Sequence, residues 1–185
     1  MRAVVWWFGV AMLVIGAASP GLAADGYTGY PVIEIWKAQR KMELRQGDTV
    51  IREFRVVLGR QPHNTKEVQG DQRTPVGRYY ISGKRPQSQF HRFLEISYPN
   101  VDDAERGYSL GLIDANQWAD IFFANVHGQS PDSRTRLGGR VGIHGYGGRP
   151  YLPIDWTAGC VAISNEDVEF LYDVTPVGTP VLIHE

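Results

Sequence analysis

The stretch from Val141 to Ser164 reads VGIHGYGGRPYLPIDWTAGCVAIS and holds the only cysteine of the chain, Cys160. Its first residues are β-prone up to Gly145, so they read as a strand that carries His144 to its end. Its last residues bring a turn of small residues, Thr157-Ala158-Gly159, up to Cys160. A thiol attacks only as the thiolate, so a catalytic cysteine needs a base within reach and backbone donors for the oxyanion that forms. A histidine at a strand end and an open glycine turn answer both needs. His144 is a candidate base, and Cys160 is either a reactive thiol, a buried small hydrophobe or an intermolecular link, with the N–H groups of Gly159 and Cys160 as candidate donors to a carbonyl oxygen.

Working outward, Ser164 stands as an N-cap before SNEDVEFLYDV, whose Val168, Leu171 and Tyr172 fall on one helical face and whose first turn carries three acids. Thr175-Pro176 ends that helix, and TPVLIHE closes the chain as a strand. On the other side, a loop rich in Gly, Ser, Pro and Arg runs from Gln129 to Arg140. Before it, DANQWADIFFANVHG reads as a helix, with Asp114 as N-cap and Gly128 as its stop. The N-terminal half alternates at a period near two through Val32, Ile33, Ile35, Met42, Leu44 and Val50 to Leu58, with Gln46-Gly47-Asp48 as a turn. RYYIS from Arg78 and FLEISY from Phe93 add two short strands. The expected fold is mainly β, with one or two peripheral helices.

The 185 residues, 43% of them hydrophobic, suffice for a single core. Lys and Arg total 19 against 20 Asp and Glu, which leaves no electrostatic footprint for nucleic acid. Arg2, an apolar run from Ala3 to Ala18, Pro20 and the small pair Ala23-Ala24 have the tripartite order of a secretory signal peptide, assigned here to residues 1–24. The run falls short of the roughly 20 apolar residues that a spanning helix needs, so no membrane attachment is expected after cleavage. The domain then occupies residues 25–185, outside the cytoplasm, in a periplasm. Disulfides persist there, yet Cys160 has no partner in the chain to oxidise with.

The pairing of IHG at Ile143 to Gly145 with TAGCVAIS at Thr157 to Ser164 resembles the signature of the YkuD-type L,D-transpeptidase catalytic domain. A second block, KEVQGDQRTPVGRYYIS from Lys66, is similar to the Gly-Asp-x-x-Thr-Pro-x-Gly-x-Tyr segment of that family through Gly70, Asp71, Thr74, Pro75, Gly77 and Tyr79. FHRFLEISYPN and VTPVGTPVLIHE extend the likeness over nearly all of the chain after residue 24. The resemblance implies a YkuD-like β-sandwich of mixed sheets. It also implies Cys160 as nucleophile, His144 as base, and peptidoglycan stem peptides as substrate. The thiolate would attack the carbonyl of the L-centre of meso-diaminopimelate in a tetrapeptide stem, release the terminal D-Ala, and pass the acyl group to an amine or to water. No cofactor or metal is implied.

One departure stands next to the nucleophile. Members of the family commonly carry Arg or Asn two residues after the cysteine, where this chain has Ala162. A branch with Ala there includes a hydrolase of the link between peptidoglycan and a lipoprotein, which keeps a wall-linked lipoprotein as an alternative partner, and a non-catalytic wall-binding module as a further reading. Around the pair, Tyr146, Gly147, Gly148, Arg149 and Trp156 form a loop long enough to wall a cleft. Tyr146, Arg149, Thr157 and His91 are the substrate-binding candidates, Arg149 through bidentate contact with a carboxylate. A third group should orient the imidazole, either a backbone carbonyl or Asp155. Gly70-Asp71 and Thr74-Pro75 read as a tight turn steering the chain into the next strand. His127 reads as a helix-end residue. The spacing of His91, His144 and Cys160 matches no close metal-ligand pair.

Overall fold

The computed structural model describes residues 29–185; the expected signal peptide and the domain start at residue 25 lie outside them. β1 (Pro31–Trp36), β2 (Lys41–Gln46) and β3 (Thr49–Arg55) make the antiparallel meander that the alternation predicts. Ile33, Ile35, Met42, Leu44 and Phe54 point into the core, each at most 2% exposed. Burying such a side chain contributes roughly 1.5–3 kcal/mol, which is why the register of the meander is strongly specified.

β4 (Gly77–Ser88) and β5 (His91–Ile96) form a longer hairpin than the two short strands read from the sequence. The added length is polar, KRPQS, and so carries no apolar alternation to reveal it. β8 (Pro180–His184) lies parallel to β1 and antiparallel to β4, joining the meander to the hairpin. β6 (Gly142–His144) pairs antiparallel with β5, and β7 (Val161–Ala162) parallel with β6. The eight strands therefore run in the order β3-β2-β1-β8-β4-β5-β6-β7. The sheet curls until its ends meet. Val57, beyond β3, exchanges two backbone hydrogen bonds of 2.9 Å with Ala162 of β7. The two expected layers are thus halves of one mixed sheet around a shared core.

α2 (Ala115–Val126) begins at Asp114 in a capping box with Gln117 and ends at His127, whose Nδ1 lies 2.7 Å from the Phe123 carbonyl oxygen. α3 (Asn165–Val174) begins at Ser164, which accepts the Asp167 N–H at 3.0 Å, and packs Val168 and Leu171 onto the core. α1 (Val101–Ser109) is a helix that the apolar pattern does not announce. Only Asp103, Ala104 and Gly107 are buried in it, so it has no wide hydrophobic stripe. Local and tertiary polar contacts define it instead. Asn100 accepts the Asp103 N–H at 2.8 Å while Asp103 accepts the Asn100 N–H at 3.1 Å. Asp103 also takes hydrogen bonds from the Tyr79 hydroxyl and from Arg106, which ties α1 to β4. Gly107 lets Leu137 lie directly on the helix, since a Cβ there would stand 2.8 Å from the leucine side chain.

Candidate active site

In the β6–β7 ladder Ile143 is opposite Val161 and His144 opposite Ala162. Opposed residues share a face, so His144 and Ala162 do, and Cys160 comes immediately before β7, two residues ahead of Ala162. A parallel pair places two sequence-distant strands side by side, and here it joins the ends of a 16-residue connection, residues 145–160.

His144 is 1% exposed. Phe90 stacks on its ring at 4.5 Å, Trp156 lies tilted at 5.8 Å and Phe93 is stacked at 6.1 Å. Its Nδ1 is 2.7 Å from the Gly145 carbonyl oxygen, an acceptor, which assigns the proton to Nδ1 and leaves Nε2 as the basic nitrogen. Burial among aromatic rings pushes the imidazole down to about 4, against the Gly145 hydrogen bond and with help from the Arg149 charge. Cys160 keeps partial exposure. Its Sγ is 3.8 Å from the Arg140 carbonyl oxygen, and desolvation pushes the thiol up to about 11 although the Gly142 N–H and the Lys66 charge pull the other way. At neutral pH the resting pair is thiol and neutral imidazole. Among the described residues no hydrogen bond joins them.

The cysteine turn is built from its own side chains. Thr157 Oγ1 donates to the Cys160 carbonyl at 2.7 Å and accepts the Gly159 N–H at 3.1 Å. The Gly159 N–H is therefore engaged inside the turn. Gly159 has φ +135°, and a Cβ on it would stand 2.7 Å from the Arg73 carbonyl oxygen. Thr157 itself is 3% exposed and serves the turn.

The Gly70–Gly77 block lies directly beneath this turn. Asp71 accepts from the Glu67, Val68 and Arg73 N–H groups and from Lys66 Nζ at 2.8 Å. Thr74 Oγ1 accepts the Gly59 N–H at 3.0 Å. The block is a turn, as its composition suggests, and its further role is to be the floor on which Gly159 rests.

The connecting loop is pinned at both ends. Asn165, the first residue of α3, accepts the Tyr146 and Gly147 N–H groups at 2.8 and 3.0 Å and donates to the Gly147 carbonyl. At the other end Asp155 takes Arg40 through Nε and Nη2, the latter at 2.7 Å, and the Leu58 N–H at 2.9 Å. Asp155 thus holds the loop, and the Gly145 carbonyl orients the imidazole. Tyr146 is buried, with its hydroxyl donated to the Leu152 carbonyl at 3.0 Å and its ring against Trp156. Arg149 is exposed, its guanidinium 5.0 Å from the Trp156 ring and 5.5 Å from Phe90, with no carboxylate partner among the described residues. His91 instead pairs with Glu169 of α3, Nε2 to Oε1 at 2.5 Å. An open cleft of about 540 Å³ lies beside Arg40, Arg55, Val57 and Asp155, and neither Cys160 nor His144 lines it.

Ala162 is fully buried and packs in a small cluster with Val57, Tyr146 and Trp156. The aromatic residues fill the space that a longer side chain would take. Phe90, Asn165 and Lys66 contribute to the site without having drawn notice in the sequence. An aromatic residue at the tip of an otherwise polar hairpin was the available signal for Phe90. Among the described residues no group of three His, Cys, Asp or Glu side chains is placed to hold a metal ion, and no helix is long and apolar enough to cross a membrane.

A buried imidazole, a single thiol and a glycine turn at the sulfur thus come together where β6 and β7 of the curled mixed sheet meet. The family model for the L,D-transpeptidase catalytic domain matches residues 30–183, and the chain belongs to that family. Solved structures with the same fold include an L,D-transpeptidase from Xylanimonas cellulosilytica, 18% identical with a TM-score of 0.51 over 85% of this chain and 61% of that one. The helical cell shape determining protein Pgp2 from Campylobacter jejuni is 20% identical with a TM-score of 0.55 over 87% and 52%. An Enterococcus faecium L,D-transpeptidase is 15% identical with a TM-score of 0.51 over 83% and 49%. This chain spans about half to three-fifths of the length of these neighbours. No curated protein sequence matches it significantly.

Proposed function

We propose that the chain is an exported, periplasmic L,D-transpeptidase that acts on peptidoglycan stem peptides through an acyl-enzyme at Cys160. His144 Nε2 takes the thiol proton as sulfur attacks the carbonyl of the L-centre of meso-diaminopimelate. The Cys160 N–H donates to the oxyanion, the amide bond breaks, and the same nitrogen returns the proton to the departing D-Ala amine. The thioester then transfers to an acceptor amine. The observation that supports this reading is the parallel pairing of β6 with β7, which sets His144 opposite Ala162 with Cys160 just ahead of that strand, together with Nδ1 tied to Gly145. Its test is the release of D-Ala from purified tetrapeptide muropeptides, which Cys160→Ala should abolish; unchanged release would overturn the proposal. A carbapenem should likewise add its mass to the wild-type protein, whereas a wall-binding module would stay unlabelled.

An amine acceptor is favoured over water because Phe90 and Trp156 cover the base and leave His144 almost without exposure. Hydrolysis is the second reading, favoured by Ala162, whose methyl offers no polar anchor beside the nucleophile. Mass analysis of products separates the two, as cross-linked dimers against trimmed tripeptides or released lipoprotein.

A further inference from the structure

Lys66 is buried to a degree rare for a lysine, with its side chain 5% exposed. Its Nζ donates to Asp71 Oδ1 at 2.8 Å and to the Val68 carbonyl at 3.0 Å, which uses two of its three donors. The same ammonium lies 3.9 Å from where a Cβ on Gly159 would stand, directly behind the cysteine turn. Its backbone is held as well, because Arg106 of α1 donates to the Lys66 carbonyl at 3.0 Å. Nothing in the acyl-transfer scheme above uses this group.

We propose that Lys66 is a positioning residue for the nucleophile, bracing the Gly159–Cys160 turn from behind and supplying positive potential as the sulfur becomes a thiolate. The inference rests on Cys160 being the nucleophile. The need is physical, since the imidazole beside the thiol is neutral at rest and gives the sulfur no positive charge until it takes the proton. Other charges near the sulfur are Arg85 and Glu95 on β4 and β5, which form an ion pair of 3.0 Å and largely cancel. Among the charges of the described residues that act on the sulfur, Lys66 is the cation left, and Asp71 moderates it. The sign of that moderation makes the idea testable, because removing Asp71's charge should strengthen the effect that removing Lys66 abolishes.

The experiment is the rate of iodoacetamide alkylation of the full chain against pH, which is clean because Cys160 is the only cysteine. Alkylation requires no peptidoglycan chemistry, so its outcome is independent of whether D-Ala release depends on Cys160. Lys66→Met should alkylate about tenfold more slowly at pH 8, corresponding to a thiol pKa raised by about one unit. Lys66→Arg should stay within about threefold of wild type, and Asp71→Asn should alkylate faster. Unchanged alkylation in Lys66→Met, or equal slowing in Lys66→Met and Asp71→Asn, would overturn the proposal, the second because it marks a purely structural brace. If Lys66→Met fails to fold, Asp71→Asn decides alone: faster supports the electrostatic role, slower or unchanged removes it.

Discussion

Thr157 Oγ1 lies 2.7 Å from the Cys160 carbonyl oxygen, to which it donates, and the same oxygen accepts the Gly159 N–H. One hydroxyl therefore closes the turn that presents Cys160. Thr157→Val keeps the shape and loses both bonds, so it should cost about 1–2 kcal/mol of stability and slow carbapenem acylation more than tenfold. Thr157→Ser should restore most of the rate, as measured by stopped-flow acylation beside a denaturant titration.

Gly159 has no room for a side chain. At φ +135° an alanine is strained, and its Cβ would press on the Arg73 carbonyl oxygen at 2.7 Å. Gly159→Ala should destabilise by about 2 kcal/mol or more and abolish acylation by displacing the sulfur. Thermal melts and inhibitor labelling check both parts.

The buried imidazole makes stability depend on pH. In the folded protein His144 is pushed down to about 4 from an unfolded value near 6.5, so between those pH values the unfolded chain binds more protons. Stability from this group is complete above about pH 6.5 and is lost as pH falls toward 4, a change on the order of 3 kcal/mol. Urea titrations at pH 7.5 and 4.5 should show this loss, and His144→Gln should remove most of it. The base form also survives to acid pH, so the acid limb of acylation should fall near 4 rather than near 6.5.

Asp155 and Arg40 anchor the loop and leave the imidazole to Gly145. Asp155→Ala frees Arg40 and the Leu58 N–H, and should cost on the order of 2 kcal/mol. The pH at which acylation falls should be unchanged in this variant. A shifted acid limb would mean that Asp155 acts on His144 after all.

Arg149 lies over Trp156 and Phe90 at the rim of the covered base, with its charge free for a carboxylate. Arg149→Ala should raise KM for the tetrapeptide stem about tenfold with kcat and melting temperature nearly unchanged, the loss of one exposed charge-assisted contact. Steady-state kinetics of D-Ala release measure it.

The meander, α3 and the closing strand are visible in the chain because each buries apolar residues at period two or 3.6, and α2 because its cap and its apolar spacing mark it although only Ile121 in it is fully buried. α1 carries no such stripe. Its existence depends on a capping box and on Asp103 meeting Tyr79 and Arg106 across the fold, contacts that leave no periodic trace. The same division runs through the site. Cys160, His144 and the glycine turn could be singled out as candidates from residue types, because thiolate chemistry demands a base and an open backbone, and from the likeness to the family signature. Which groups support them could not. Phe90, Asn165, Lys66 and the Gly145 carbonyl reach the pair only after the hairpin, α3 and the Gly70–Gly77 turn have packed around it.

Residue types together with the likeness to the family signature singled out Cys160 and His144 as candidates, and apolar alternation gave the mainly β architecture, since both are properties of neighbours in the chain. Tertiary packing decided that His144 is neutral, that Gly159's N–H is engaged, that Asp155 binds Arg40, and that Ala162 is sealed against Val57. Each of these follows from desolvation or from a hydrogen-bond partner far away in sequence, and neither exists until the sheet has curled and closed.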